Sequence, residues 1–443
     1  MSPALAPDAS SRRPMSRYRK TDIAGQALRP QTQMMSFGYD PALSEGAIKP
    51  PLFQTSTFVF KSAEDGKRQF ALRKGLAQRA PGEEFGLVYS RFNNPNLEIL
   101  EDRLAIWEQA EKALVFASGM AAISSTLLGL SRPGDIVANS EPLYGGTEGL
   151  LLNVMPQFGI THASLPVGTS LDELEALLRA ADAEAAERGG RLSAIMLETP
   201  ANPTNELTDI AGVVAIAKRL ERNGYRPAVC VDNTFLGPIW QKPLTLGADY
   251  ALYSLTKYVG GHSDIVGGAV LGSMDAMKPI APMRSSLGAT LDPHTAWMLC
   301  RSLETLELRI SRATENARMV CAYLERHPKV KKVLWLGNLP PGSDQARIFG
   351  AQCTGVGSTF SIRVHGGEAE AFRFLDALKV VKLAVSLGGT ESLASHPATT
   401  THLDYPPADK ERYGITGDLV RISIGIEDSR DLIADIDQAL AAV

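Results

Sequence analysis

Residues 228–235 read AVCVDNTF, and residues 248–264 read ADYALYSLTKYVGGHSD. Each holds a short apolar run of the kind that fills a buried strand, stopped by polar side chains. Asp232 closes the first run; Ser254, Thr256 and Lys257 close the second. In a parallel α/β sheet, ligands gather beyond the carboxyl ends of the strands, so these residues are placed to meet.

Working outward, the same alternation continues. Leu97–Trp107 reads as a helix and Lys112–Phe116 (KALVF) as a strand. The run FASGMAAISS (116–125) then opens a helix over 119–130. A Pro133-Gly134 turn precedes a strand at Ile136–Ala138. Ser170–Glu187 starts on a capping serine and continues as a helix. Strands at Ala194–Leu197 and Ala228–Val231 flank a helix over 210–222. Apolar strands separated by helices predict an α/β domain with a mostly parallel sheet over residues 96–308. Beyond it, strands such as Thr359–Val364 and Leu419–Ile424 alternate in polarity, predicting a smaller α+β domain over 309–443. Residues 1–46 are polar and read as a disordered or extended arm. Residues 47–95 contain a strand-like stretch, Pro51–Phe60. A basic, helical, solvated segment is expected between Ala63 and Gly86.

The 443 residues carry 45 Lys+Arg against 49 Asp+Glu, a net charge of −4 that gives no global pull toward nucleic acid or anionic membranes. No apolar run approaches the ~20 residues of a membrane helix. Cys230, Cys300, Cys321 and Cys353 are too scattered for a zinc site or disulfide framework, so ordinary thiols in a reducing cytoplasm are expected. Arg12, Arg13, Arg17, Arg19 and Lys20 lack the apolar core or helical face of a targeting signal and read as a tail. His262 and His402 have no partner at metal-ligand spacing, so no metal is expected.

The polar strand ends carry a specific chemistry. A lysine amine beside a carbonyl cofactor forms a Schiff base. A carboxylate beneath a pyridine ring keeps the ring nitrogen protonated and makes the ring an electron sink. Ser118-Gly119-Met120 opens a helix whose free N–H groups suit a phosphate. Together these parts describe a pyridoxal phosphate pocket. The spacing of Ser254 and Lys257 also matches an acyl-serine hydrolase motif, but the companion SDN and KTG motifs are absent.

The strings YSRFNNPN (89–96), SGMAAI (118–123), LYGGT (143–147), ETPANPT (198–204), VDNTF (231–235), SLTKYVGGHSD (254–264), SLGGTESL (386–393), HPATTTH (396–402) and LVRISIGIED (419–428) occur in order. Through them the chain resembles the Cys/Met metabolism family of pyridoxal-phosphate enzymes from about residue 35 to its end. That family includes cystathionine γ-synthases, cystathionine γ-lyases, methionine γ-lyases and O-acylhomoserine sulfhydrylases. The resemblance implies the fold-type I, aminotransferase-like architecture and assigns roles. Lys257 would be the Schiff-base lysine and the proton shuttle, and Asp232 would pair with the pyridinium nitrogen. Tyr144 would stack on the ring and assist proton transfer; Asn202 would bond the ring oxygen. Gly119, Met120, Ser254 and Thr256 would hold the phosphate, joined by Tyr89 and Arg91 from the neighbouring subunit. Arg421, with Ser386 and Asn202, would bind the substrate carboxylate. Shared sites imply a dimer, and the family usually pairs dimers into a homotetramer.

The implied reaction is on γ-substituted L-amino acids. Methionine γ-lyases of this family usually carry cysteine two residues after the stacking tyrosine, where this chain has Gly146. Cystathionine enzymes often carry Glu before the SLGG serine, where this chain has Val385, as methionine lyases do. An apolar wall favours a short apolar leaving group, so the expectation is a carbon–sulfur lyase resembling methionine γ-lyase. The alternatives are a γ-replacement transferase and, more remotely, a non-catalytic cofactor-binding regulator. Arg284 is expected near the mouth of the site.

Overall fold

The apolar runs become the strands of two sheets. The computed structural model describes residues 17–443 other than 82, 84 and 167. The basic residues before position 17 lie outside that range. Helix α1 (Ala63–Arg73) is capped by Ser62, whose side chain accepts from the Asp65 N–H. Helix α2 (Pro95–Glu108) has Asn94 as its cap and Pro95 in its first turn, where a missing N–H costs nothing. Then follow β1 (Lys112–Phe116), α3 (Gly119–Leu130), β2 (Ile136–Glu141), β3 (Thr161–Pro166) and α4 (Leu171–Glu187). A reciprocal capping box between Ser170 and Glu173 starts α4. Next come β4 (Leu192–Glu198), α5 (Ile210–Arg219), β5 (Ala228–Asp232), β6 (Tyr250–Ser254), β7 (Gly268–Gly272), α6 (Met277–Leu287) and α7 (Pro293–Leu303).

These strands form one sheet in the order β1-β7-β6-β5-β4-β2-β3. β7 runs antiparallel to both neighbours, and the other pairs are parallel. β4 is buried at every position, as a strand with helices on both faces must be. The smaller sheet follows α8 (Leu306–Leu324). It is built from β8 (Val330–Leu334), β9 (Thr359–Val364), β10 (Lys382–Leu383), β11 (Leu393–Ser395) and β12 (Leu419–Ser423). Helix α9 (Glu368–Ala377) lies between β9 and β10, and α10 (Ser429–Leu440) follows β12. The order is β8-β9-β12-β11-β10, with β12 in the centre. Val420 and Ile422 of β12 point into a core with Phe360, Phe374 and Ile436. Arg421, between them, points the other way, opposite Ser361 and Ser395 on the adjoining strands.

Four expectations change. Pro51–Phe60 joins neither sheet; it makes only an isolated bridge, Thr57 to Tyr89, and Val59 is 97% exposed. The basic helix stops at Arg73 because Gly75 turns the chain at a φ of +69°. The helix expected to reach 222 ends at Arg219. Arg284 is not at a mouth: it is buried, its Nη1 donating to Glu101 Oε1 at 2.7 Å and to the Val115 carbonyl at 3.1 Å. Its partner lies on α2, which is why the burial could not be read locally.

The described part of the N-terminal arm is docked on the body. Met34 is fully buried against Leu97 and Leu100, and Arg103 Nε donates to the Phe37 carbonyl. All four cysteines are free and buried. Among the described residues, no helix is long and apolar enough to cross a membrane.

Candidate active site

β4 and β5 end side by side, with Glu198 and Asp232 as register partners. Asp232 Oδ1 accepts from the Thr234 N–H at 3.0 Å and from its hydroxyl at 2.6 Å. The same hydroxyl oxygen accepts from the Ser254 N–H at 2.9 Å, tying the end of β6 to that of β5. Burial raises the Asp232 pKa, against the pull of the Thr234 bonds. Burial and the nearby Asp232 charge push Glu198 up to about 8. Two acids side by side, Glu198 buried and Asp232 partly so, resist ionising together, and the negative charge the pair keeps suits a protonated ring nitrogen.

Lys257 lies three residues past the end of β6, and its Nζ donates to Ser386 Oγ at 2.8 Å. Burial and the Arg421 charge lower its pKa, which Asp232 partly offsets. Arg421 is 3% exposed; Nη1 donates to Asn202 Oδ1 at 3.1 Å and Nη2 to the Ser386 carbonyl at 2.8 Å. Burial lowers its pKa to about 10, so it stays a cation at neutral pH. Ser386 adopts a φ of +89°, a costly conformation for a residue with a Cβ. Its hydroxyl thereby meets Lys257 while its carbonyl meets Arg421. Asn202 holds its place through its own N–H, which donates to Glu198 Oε1 at 3.2 Å.

At the other end, α3 begins at Gly119 with Ser118 as cap. A Cβ on Gly119 would sit 2.9 Å from Ser254 Cβ, so only glycine lets the helix start come this close to β6. The first N–H groups of α3, the Ser254 hydroxyl and Thr256 gather there. Thr256 Oγ1 also accepts from the Gly267 N–H at 3.1 Å. Tyr144 is 44% exposed, and its backbone N–H donates to Glu198 Oε2 at 2.7 Å. Its ring lies over Gly146, where a Cβ would be 2.6 Å from Tyr144 Cε1 and 3.1 Å from Met120 Sδ.

Lys257, Asp232, Asn202, Ser386 and Arg421 thus converge with Tyr144, Gly119, Met120, Ser254 and Thr256 around the strand ends. Tyr89 and Arg91 make their contacts elsewhere. Both lie on the surface; Arg91 Nη1 donates to the Ser285 carbonyl at 2.8 Å and hydroxyl at 3.2 Å, leaving the rest of its fork open. Two further residues went unassigned in the sequence, Glu198 and Thr234. Both stand inside the quoted motifs, ETPANPT and VDNTF, but Glu198 accepts from backbone amides, which leave no trace in spacing, and Thr234 acts by bracing Asp232 and the Ser254 amide. His402 is buried, with Nδ1 against Thr401 Oγ1 at 2.9 Å, and burial beside Arg421 lowers its pKa to about 4. His262 Nδ1 pairs with the Gly260 carbonyl. Among the described residues, no group of three or more His, Cys, Asp or Glu could hold a metal.

A lysine at one strand end, a buried acid at the next and a glycine-opened helix start fit pyridoxal phosphate in shape and charge, and with this fold they define a pyridoxal-phosphate-dependent enzyme. The Cys/Met metabolism PLP-dependent enzyme profile matches residues 31–441. L-methionine gamma-lyase of Pseudomonas putida is 40% identical over 415 residues, covering 93% of this chain and 97% of that protein. O-succinylhomoserine sulfhydrylase of Pseudomonas aeruginosa is 36% identical, covering 90% and 92%. The solved cystathionine gamma synthase of Xanthomonas oryzae pv. oryzae, in complex with aminoacrylate and cysteine, superposes with a TM-score of 0.81 at 30% identity, covering 94% and 99%. The chain belongs to the Cys/Met metabolism PLP-dependent enzyme family.

Proposed function

We propose that the protein is a carbon–sulfur lyase that cleaves L-methionine, with water, to 2-oxobutanoate, ammonia and methanethiol. The observation that carries the choice of leaving group is Val385. It is 55% exposed and directly precedes Ser386, the residue that accepts from Lys257, so an exposed apolar side chain stands next in sequence to the lysine's partner. A methylthio group loses nothing against that surface, whereas a succinyl carboxylate or an amino-acid tail would want a charged partner there.

Pyridoxal phosphate, when bound, supplies a sink for the negative charge that develops at the substrate Cα. The residues of the chain do the rest. The Arg421 fork binds the α-carboxylate, and Asn202 and the Ser386 carbonyl fix the plane of that fork. Lys257, its pKa lowered by burial, takes the Cα proton at Nζ and returns protons where the γ-substituent leaves. Ser386 Oγ aims the amine. Asp232 would hold the ring nitrogen protonated, and Tyr144 would cover the ring and shield it from water. Gly119, Met120, Ser254 and Thr256 would hold the phosphate.

Tyr89 and Arg91 serve the phosphate of a second copy, so the enzyme works as a dimer, paired further into a homotetramer in the cytoplasm. Leu43, Ile48 and Val59 support this reading: at 84%, 81% and 97% exposure they line a segment that a lone chain leaves uncovered. On this reading residues 47–95 form the part of each subunit that serves its neighbour, ahead of a cofactor domain at 96–308 and a carboxylate-binding domain at 309–443.

One observation favours a γ-replacement transferase instead. Gly146 leaves no room for the cysteine common beside the stacking tyrosine of methionine lyases, because its Cβ would collide with the Tyr144 ring. A product assay separates the two. Cofactor-loaded protein given L-methionine alone should release 2-oxobutanoate and methanethiol. Cystathionine or homocysteine made only from an O-acylhomoserine plus a thiol or sulfide would establish the transferase. Cofactor binding with no turnover of either substrate would leave a regulatory role.

A further inference from the structure

Helix α1 and the turn after it end against the Tyr89–Arg91 loop in an unusual way. Gln69 Oε1 accepts from the Gly86 N–H at 2.7 Å, and Arg73 Nη2 donates to the Gly86 carbonyl at 2.7 Å. Asn93 Nδ2 adds a bond to the same carbonyl at 3.2 Å. Gly86 is therefore gripped through both halves of its backbone by side chains of one helix. A Cβ there would stand 2.8 Å from Gln69 Cδ, so glycine is required for the grip. On the far side of the loop, the Phe58 N–H donates to the Val88 carbonyl and the Ser90 N–H to the Ser56 carbonyl. The loop is thus pinned from two directions.

Arg73, at the end of that helix, takes part in a series of alternating rings and guanidinium groups that leads to Arg91. Arg79 lies 5.0 Å from the Phe85 ring centre, and Arg73 lies 5.6 Å from Phe85 and 5.8 Å from Phe92. Arg91 lies 4.7 Å from Phe92, so one ring separates Arg73 from Arg91. A guanidinium facing a ring is held in orientation as well as position, because the ring's negative face attracts its flat side. Arg68 braces the turn from outside, donating to both carboxylate oxygens of Glu83 at 2.9 and 2.6 Å.

We infer that Arg73 is a positioning residue for Arg91, so that helix α1 sets the geometry with which this chain grasps the coenzyme phosphate in a neighbouring subunit. The inference rests on the shared-site reading given above. The Ser285 contact fixes only one Arg91 nitrogen, Nη1. The contact with Phe92, 4.7 Å from the ring centre, adds a second hold on the guanidinium and so restricts where its remaining N–H groups point.

The test is coenzyme binding to the full-length protein, stripped and reconstituted, with pyridoxal lacking its phosphate as the control ligand. Arg73→Ala should weaken pyridoxal phosphate about tenfold and leave pyridoxal unchanged, because only the phosphate feels Arg91. Phe85→Leu, which keeps the Gly86 bonds and removes one ring of the stack, should give a smaller loss with the same selectivity. Arg91→Ala should lose more than either. Equal weakening of both ligands by Arg73→Ala would mean general disruption and overturn the inference. An unchanged affinity in Arg73→Ala, alongside a large loss in Arg91→Ala, would overturn it while leaving the shared site standing. No phosphate-dependent loss in Arg91→Ala would remove the shared-site reading and the inference with it.

Discussion

Lys257 Nζ and Ser386 Oγ are 2.8 Å apart although 129 residues separate them, and the Ser386 carbonyl is at the same time bonded to Arg421. One strained serine thus serves a base through its side chain and a carboxylate clamp through its backbone. Ser386→Ala removes only the first function. Losing a hydrogen bond to an ionisable amine costs about 1.5–3 kcal/mol, so kcat on L-methionine should fall roughly 10- to 100-fold. KM should change little, because the carbonyl still orients Arg421. Steady-state kinetics that showed KM rising with kcat preserved would contradict this division of labour.

Glu198 holds the backbones of Tyr144 and Asn202 together through two N–H donors. Above about pH 8, where the carboxyl is ionised and both oxygens accept, glutamine keeps the shape but offers one acceptor in place of two, leaving one of those donors facing an NH2 group. Glu198→Gln should therefore loosen coenzyme binding by roughly tenfold, about 1.4 kcal/mol, and alter the circular dichroism of the bound coenzyme as the ring shifts. A variant with unchanged affinity and an unchanged dichroic band would show that the carboxylate is dispensable.

Gly146→Cys puts a side chain where the Tyr144 ring now lies, 2.6 Å from its Cε1. The ring must turn, and the space above the coenzyme changes. Elimination should gain on γ-replacement by up to about tenfold when both are measured on the same O-acylhomoserine with and without added thiol. An unchanged ratio would mean that position 146 does not select between the two outcomes.

Glu108 gives a pH dependence remote from the chemistry. It is fully buried, accepts a bond from the Tyr253 hydroxyl, and burial pushes its pKa up to about 8 from the usual 4.5. A raised folded-state pKa means that the native protein favours the protonated acid. Its contribution to stability is complete below about 4.5 and is lost as pH rises through 8, a difference on the order of 5 kcal/mol. Glu108→Gln should flatten the fall in Tm between pH 5 and 9 and leave the variant the more stable protein at pH 9. A Tm profile parallel to that of the parent would rule out this group as the source.

Five of the seven strands of the large sheet were legible because they are apolar and largely buried; β3, half-exposed along most of its length, and the glycine-flanked β7 were not. Runs such as KALVF and AVCVD have no other use, and their polar stops marked Asp232 and Lys257 directly. Arg421 was legible only through the resemblance, since an arginine on an alternating strand is a common surface pattern. Misreadings arose where the deciding partner lies far along the chain or outside it. Pro51–Phe60 has strand composition but finds no strand here to pair with. Arg284 looked free because Glu101, which buries it, is 183 residues away. Glu198 and Thr234 were visible as letters, but Glu198 works on backbone amides that every residue possesses, and Thr234 acts on Asp232 two residues away while tying it to the Ser254 amide.

Tyr89 and Arg91 lie on the surface, and on the proposed reading each chain lends them to a site it does not own. Two dead proteins can then revive each other. A copy lacking Lys257 still carries a sound Arg91, and a copy lacking Arg91 still carries a sound Lys257. When they pair, both faults fall in one pocket and the other pocket is whole, so a mixture of the two variants, unfolded and refolded together, regains an activity that neither has alone.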